Sequence, residues 1–129
     1  MKRVFVAAII FAVAITAGLG AQSSKPFVAM TTDQNGLGDG SFNDGVYAGI
    51  KRAESEGLIR VKVVEAHAMT DYIPNLTGLA EDGAQLVFGV GFLMIEQIQE
   101  AAKANPKTLY AGIDHTYFNA IPSNLVGIS

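Results

Sequence analysis

Residues 31–44 read TTDQNGLGDGSFND. Asp33, Asp39 and Asp44 supply carboxylates, and Gly36, Gly38 and Gly40 let the backbone turn tightly or approach a ligand closely. Phe42 places an aromatic ring among small polar residues, where solubility does not call for one. Three chemistries compete for such a loop. A calcium loop of the EF-hand type counted from Asp33 finds acceptable residues in Asn35, Gly38, Ser41 and Asp44. Leu37 stands where an oxygen ligand belongs, however, and Asp44 replaces the usual bidentate glutamate. A dinucleotide loop finds Gly36 and Gly38 after a first strand and Glu65 at the end of a second. Its third glycine position is Ser41, no P-loop lysine is present, and three aspartates would surround a pyrophosphate with like charge. A neutral planar ligand fits better: Phe42 offers a stacking face, Asn43 both donates and accepts, and Asp33 accepts from hydroxyl or ring N–H groups. The same spacing also allows Phe42 to be the first core residue of its helix, in line with Val46 and Ile50. Spacing alone leaves both open.

The elements that must position this loop alternate. FVAMTT (27–32) is an apolar, β-prone run that ends at Asp33. Ser41 then stands as a helix N-cap with Asp44 three residues on, in the manner of a capping box. Phe42, Val46, Ile50 and Ala53 predict one apolar stripe, and Gly57 sits where a helix ends. RVKVVEA (60–66) is a second strand. DYIPNLTGLAED (71–82) is a second helix, with Pro74 in its first turn and Gly83 as its stop. AQLVFGVG (84–91) is a third strand. FLMIEQIQEAAKAN (92–105) is a third helix, with Leu93, Ile95, Ile98, Ala101 and Ala102 inward and Glu96, Glu100 and Lys103 outward, ended by Pro106. TLYAGID (108–114) and NLVGIS (124–129) complete five strands. The pattern predicts an α/β fold: a doubly wound parallel sheet with flanking helices. Such sheets bind ligands beyond the carboxyl ends of their strands, which gathers Asp33–Phe42, Gly89–Phe92 and Asp114–Phe118.

The N-terminus is of another kind. Lys2 and Arg3 precede an apolar run from Val4 to Leu19, followed by small residues, as in a secretory signal peptide with its cut near Ala21. Residues 1–21 are therefore expected to be a signal and 22–129 a single lobe. Loss of Lys2 and Arg3 moves the net charge from −3 to −5. No basic patch suggests nucleic acid. The chain has no cysteine, which removes disulfides, thiolate metal sites and a cysteine nucleophile. The final strand has no helix after it to cover the sheet, and the lobe is expected to be a fragment.

DGSFNDGVYAGIKRA resembles the Ser-Phe-Asn segment of the basic membrane protein family, PnrA-like substrate-binding proteins of ABC transporters that bind purine nucleosides. LVFGVGFLM looks like that family's third strand and following turn, and YAGIDHTYFNAIPSNLVGIS like its next two strands. The resemblance implies a type I periplasmic-binding-protein-like lobe. In it Phe42 stacks on the base, Asn43 and Asp33 make polar contacts near it, Gly91 and Phe92 line the pocket, and Asp114 accepts a hydrogen bond. It implies no catalysis and no cofactor or metal. It also implies a monomer that hands a nucleoside to ABC permease subunits, and a second lobe carrying the sugar contacts and the second aromatic. The family is usually lipid-anchored through a cysteine that this sequence lacks, so the protein is expected to be exported, in the periplasm or on the outer side of the plasma membrane. The competing functions are a nucleotide-dependent enzyme on a Rossmann-like fold and a sugar or autoinducer receptor on the same scaffold. Asp114-His115 suggests acid–base chemistry at first sight, but no nucleophile accompanies it. His115 and His67 are expected to be exposed loop residues, and Tyr110 and Phe118 to be core or pocket wall.

Overall fold

β1 (Phe27–Thr31) is buried along its whole length, as a run of Phe, Val, Ala, Met and Thr must be when both faces of a strand are covered. In the computed structural model, which describes residues 24–129, it lies inside a five-stranded, all-parallel sheet. Its partners are β2 (Arg60–Val64), β3 (Leu86–Val90), β4 (Leu109–Ile113) and β5 (Leu125–Ile128), in the order β2-β1-β3-β4-β5. The helices are α1 (Phe42–Ser55), α2 (Tyr72–Glu81) and α3 (Ile95–Ala104). The expected signal segment, residues 1–21, lies outside the described residues.

Two apolar layers sandwich the sheet. Leu76 and Leu79 of α2 and Ile98, Ala101 and Ala102 of α3 pack on Ala29, Val87, Tyr110 and Leu125. On the other face Ile50, with Val46 and Tyr47, packs on Val28, Met30 and Val90. The chain winds outward from β1 to β2, then returns past β1 to β3. The carboxyl ends of β1 and β3 therefore flank the point where the winding reverses, and a crevice opens there. Met30↔Phe88 and Thr31↔Gly89 are in register across it, which sets the two following loops side by side.

Helix ends follow their residue chemistry. Gly57 adopts φ +77°, Gly57 N–H donates to the Glu54 carbonyl (2.9 Å) and Leu58 N–H to that of Ala53 (3.0 Å). This closes α1 with a left-handed turn that suits glycine. Gly83 (φ +92°) closes α2 in the same way, with Ala84 N–H bonded to the Leu79 carbonyl at 3.1 Å. Pro74 sits in the first turn of α2, where a missing N–H costs nothing. Two boundaries differ from the sequence reading: Met69–Asp71 and Phe92–Met94 form single 3₁₀ turns ahead of α2 and α3. The second of these buries Met94 beside Ile98 against Gly89, where a Cβ would come within 2.8 Å of the Ile98 Cδ1.

The start of α1 is corrected on two points. Ser41 makes no side-chain cap. The apolar stripe starts one residue later than predicted: Asn43 is 2% exposed and leads into Val46 and Ile50, while Phe42 turns outward, 51% exposed.

Replacing Ile98 by Ala removes a fully buried side chain and should lower the unfolding free energy by about 3 kcal/mol in urea titrations. Leu109→Ala, at an exposed position, should lower it by less than about 1 kcal/mol. Equal losses at the two positions would contradict this core.

Candidate functional site

The loop between β1 and α1 is held by its own carboxylates. Asp39 Oδ1 accepts from Ser41 N–H (2.8 Å) and Asp44 N–H (3.1 Å), and Oδ2 from Asn43 N–H (3.1 Å). Asp39, two residues ahead of Ser41, thus caps the helix. The Ser41, Asp44 and Asn43 donors, foremost Ser41, hold its carboxyl below the usual range, against an opposing effect of desolvation smaller than that of Ser41. Asp44 reaches back to Gly38 N–H (2.7 Å) and Gly40 N–H (2.8 Å). Glu65, from the end of β2, accepts from Leu37 N–H at 2.8 Å. The N–H donors a phosphate would need are thereby engaged, and the carboxylates a calcium ion would need are spent on backbone. Glu65 holds the loop and is not free for a ribose.

Asp33, Phe42, Asn43, Gly91, Phe92 and Asp114 all line one cleft of about 530 Å³ at the carboxyl ends of β1, β3 and β4, joined by Asn35, Asp39, Ser41 and Val90. Among the described residues the lining contains no Lys, Arg or His. Asp33 is buried and anchors the arrangement: Oδ1 accepts from Asn35 N–H (3.0 Å) and from Asn43 Nδ2 (2.9 Å), and Oδ2 from Asn35 Nδ2 (3.1 Å). Because a carboxylate only accepts, the Asn43 amide must turn its nitrogen to Asp33. Its Oδ1 is buried and, among the described residues, has no hydrogen-bond partner. The rings of Phe42 and Phe92 (60% exposed) stand at the cleft. The core alternative for Phe42 therefore fails, because Asn43 occupies the inward position.

Gly91 adopts φ +104°, and a Cβ there would lie 2.6 Å from Asp33 Oδ2. The turn after β3 can pass this close to Asp33 only as glycine. Asp114 has φ +63°, which is uncommon for a residue with a side chain and typical of functional loops. Its N–H donates to the Ile128 carbonyl at 2.7 Å, which ties the turn to β5.

His115 departs from the sequence reading. It is 1% exposed, with Nε2 2.9 Å from the Gly91 carbonyl oxygen and Nδ1 2.8 Å from the Tyr117 hydroxyl. A carbonyl can only accept, so Nε2 carries the proton and donates, while Nδ1 accepts from the Tyr117 O–H. Burial pushes the His115 pKa down, opposed by the Gly91 bond and the charge of Asp114. Burial also pushes the Tyr117 phenol up to about 12. The sequence signal for this burial is Gly112 and Gly127, in register on neighbouring strands. A Cβ on Gly112 would collide with His115 Nδ1, and one on Gly127 would lie 2.8 Å from the Tyr117 ring. His67 is exposed as expected, and Tyr110 lies in the core with its hydroxyl donating to the Leu76 carbonyl. Phe118 is not core: 92% exposed, it lines a separate shallow cleft with Ile95, Tyr117 and Ile121 and not the one at Asp33.

Residues 27–129 match the family model described as ABC transporter substrate-binding protein PnrA-like. The chain belongs to this PnrA-like family. Basic membrane protein A of Borreliella burgdorferi is 33% identical over 114 residues, which cover 87% of this chain and 33% of that protein. The ABC transporter nucleoside-binding protein BmpA of Lactococcus lactis is 30% identical over 90 residues, 67% of this chain and 26% of that protein. An ABC transporter solute-binding protein from Aeropyrum pernix K1 superposes with a TM-score of 0.70 at 28% identity, over 79% of this chain and 28% of its own. The chain thus spans about a third of the length of the curated relatives it matches. The PnrA-like family is a solute-binding transporter component, not an enzyme family. No helix among the described residues is long and apolar enough to cross a membrane.

Because the folded pKa of His115 is depressed, the unfolded chain binds the extra proton first as pH falls. The stability this residue contributes is complete above about pH 6.5 and is lost as pH drops from there through the folded value. Urea midpoints should therefore fall from pH 7.5 to 5.5, and the fall should flatten in His115→Gln. Asp39 acts lower on the scale, its contribution present above about pH 4 and lost below it. Asp39→Ala should reduce the melting temperature at pH 7, and the difference from wild type should shrink as the pH is lowered from about 4.

Proposed function

We propose that this lobe forms one wall of the purine-nucleoside site of an ABC importer's substrate-binding protein. The observation that carries the proposal is the pair Phe42–Asn43. A ring face stands open at the cleft, and beside it Asp33 orients the Asn43 amide, whose buried Oδ1 has no donor among the described residues. A nucleobase supplies a π-face for Phe42 and, once a local shift of the loop uncovers Asn43 Oδ1, a ring or exocyclic N–H for it. Asp33 and Asp114 add acceptors suited to further N–H or O–H groups, and Phe92 adds apolar surface. The acceptor-rich lining, without a cation among the described residues, disfavours phosphates, which supports a nucleoside over a nucleotide. The nucleoside-binding name of the Lactococcus relative supports the same class.

In this reading a second α/β lobe supplies the opposite wall, and closure of the two excludes water from the ligand. The protein would be exported behind a leader at residues 1–21, act as a monomer outside the plasma membrane and deliver its ligand to permease subunits. A lipoprotein of Pyrococcus furiosus among the relatives fits that location. The rival enzyme reading is weakened because the N–H groups of Leu37, Gly38, Gly40 and Ser41 already have partners.

Calorimetry on the protein expressed with everything its reading frame encodes should show inosine or guanosine binding more tightly than ribose, NAD or inosine monophosphate. Phe42→Ala should cost about 1–3 kcal/mol of nucleoside affinity, the usual range for a lost base–aromatic stack, with little change in the urea midpoint. Tighter binding of NAD or ribose would overturn the ligand class. An unchanged inosine affinity in Phe42→Ala would remove the stack.

A further inference from the structure

The turn after β3 has to hold an unusual shape. Gly91 sits at φ +104° with Asp33 packed against its α-carbon, and Phe92 projects from it into the cleft. Its backbone is gripped from both sides. Gly91 N–H donates to the Ile113 carbonyl (3.0 Å), and the Gly91 carbonyl accepts from His115 Nε2 (2.9 Å). The second grip comes from a side chain the cleft does not expose.

The surroundings of His115 are built for it. Gly112 leaves the space its ring occupies, and Gly127 leaves the space for the Tyr117 ring and the His115 carbonyl. Tyr117 then fixes the ring edge-on (interplanar angle 79°) and engages Nδ1. His115 is thus locked in one tautomer with its single N–H aimed at Gly91. We infer that His115 is a positioning residue for the cleft: it holds the Gly91 carbonyl, and through it sets where Phe92 and the Asp33 carboxylate meet a ligand. The inference rests on the reading of the cleft as a ligand site. Its structural half, control of the Gly91–Met94 turn, can be tested without any ligand.

Three substitutions separate the donor from mere bulk. His115→Gln keeps an N–H at the end of a path of equal length, Cβ–Cγ–Cδ–Nε2. His115→Leu fills space without a donor. His115→Asn keeps an amide one bond too short to reach, and serves if the leucine variant does not fold. Amide hydrogen exchange is measured for Gly91 and Met94, whose N–H groups donate to the Ile113 and Gly91 carbonyls, in each folded variant, together with calorimetric titration of inosine at pH 7.5. In the Leu or Asn variant the two amides should lose protection, and inosine affinity should fall about tenfold, as expected for a buried carbonyl left without its donor. The Gln variant should restore both. Unchanged protection in the Leu or Asn variant overturns the inference, as does a Gln variant as impaired as they are, which would make shape the cause. If wild-type protein does not bind inosine, the nucleoside proposal fails, while the exchange data still decide whether His115 controls the turn.

Discussion

A glycine-rich loop ahead of a helix leaves a dense set of backbone N–H groups that something must satisfy. Here the partners are internal: Asp39, Asp44 and Glu65 accept from Leu37, Gly38, Gly40, Ser41, Asn43 and Asp44. In nucleotide-binding α/β proteins the equivalent donors hold a phosphate. Here the loop carries its own anions, and its remaining chemistry points elsewhere. With the backbone engaged, Asp33, Phe42 and Asn43 remain to line the cleft, whose wall among the described residues is rich in acceptors and has no cation. The fold supplies the place, at the winding reversal between β1 and β3. The carboxylates decide what that place can recognise.

Much of this was legible in the sequence, and for a physical reason. Short apolar runs ending in Asp33, Gly91 and Asp114 are strands whose carboxyl ends must lie together in a parallel sheet. The residues just beyond them converge even though 81 positions separate Asp33 from Asp114. Strand and helix identities followed from periodicity and from glycines at helix ends. The membership shown by the family match agrees with the resemblance carried by Ser41-Phe42-Asn43 and Gly89-Val90-Gly91-Phe92.

What was not legible depended on choices that local pattern cannot rank. Ser41 and Asp39 are both cap chemistries within three residues, and only the loop's path selects Asp39. Phe42 and Asn43 are adjacent, so a shift of one position decides which faces the core. The spacing 43, 46, 50 fits a helical stripe as well as 42, 46, 50 does. The burial of His115 escapes local pattern because it is created by Gly112 and Gly127, which meet only once β4 and β5 pair.

The self-bonded loop has a thermodynamic consequence for how a ligand would be met. A segment rich in glycine loses much backbone entropy when it orders. In this lobe that ordering is accomplished during folding, by the Asp39, Asp44 and Glu65 bonds, before any ligand arrives. The wall formed by Asp33, Asn43 and Phe42 would therefore be a pre-set template for the proposed ligand. The entropic cost of capture would then fall on the ligand and on the proposed second lobe, and only weakly on the glycine loop itself.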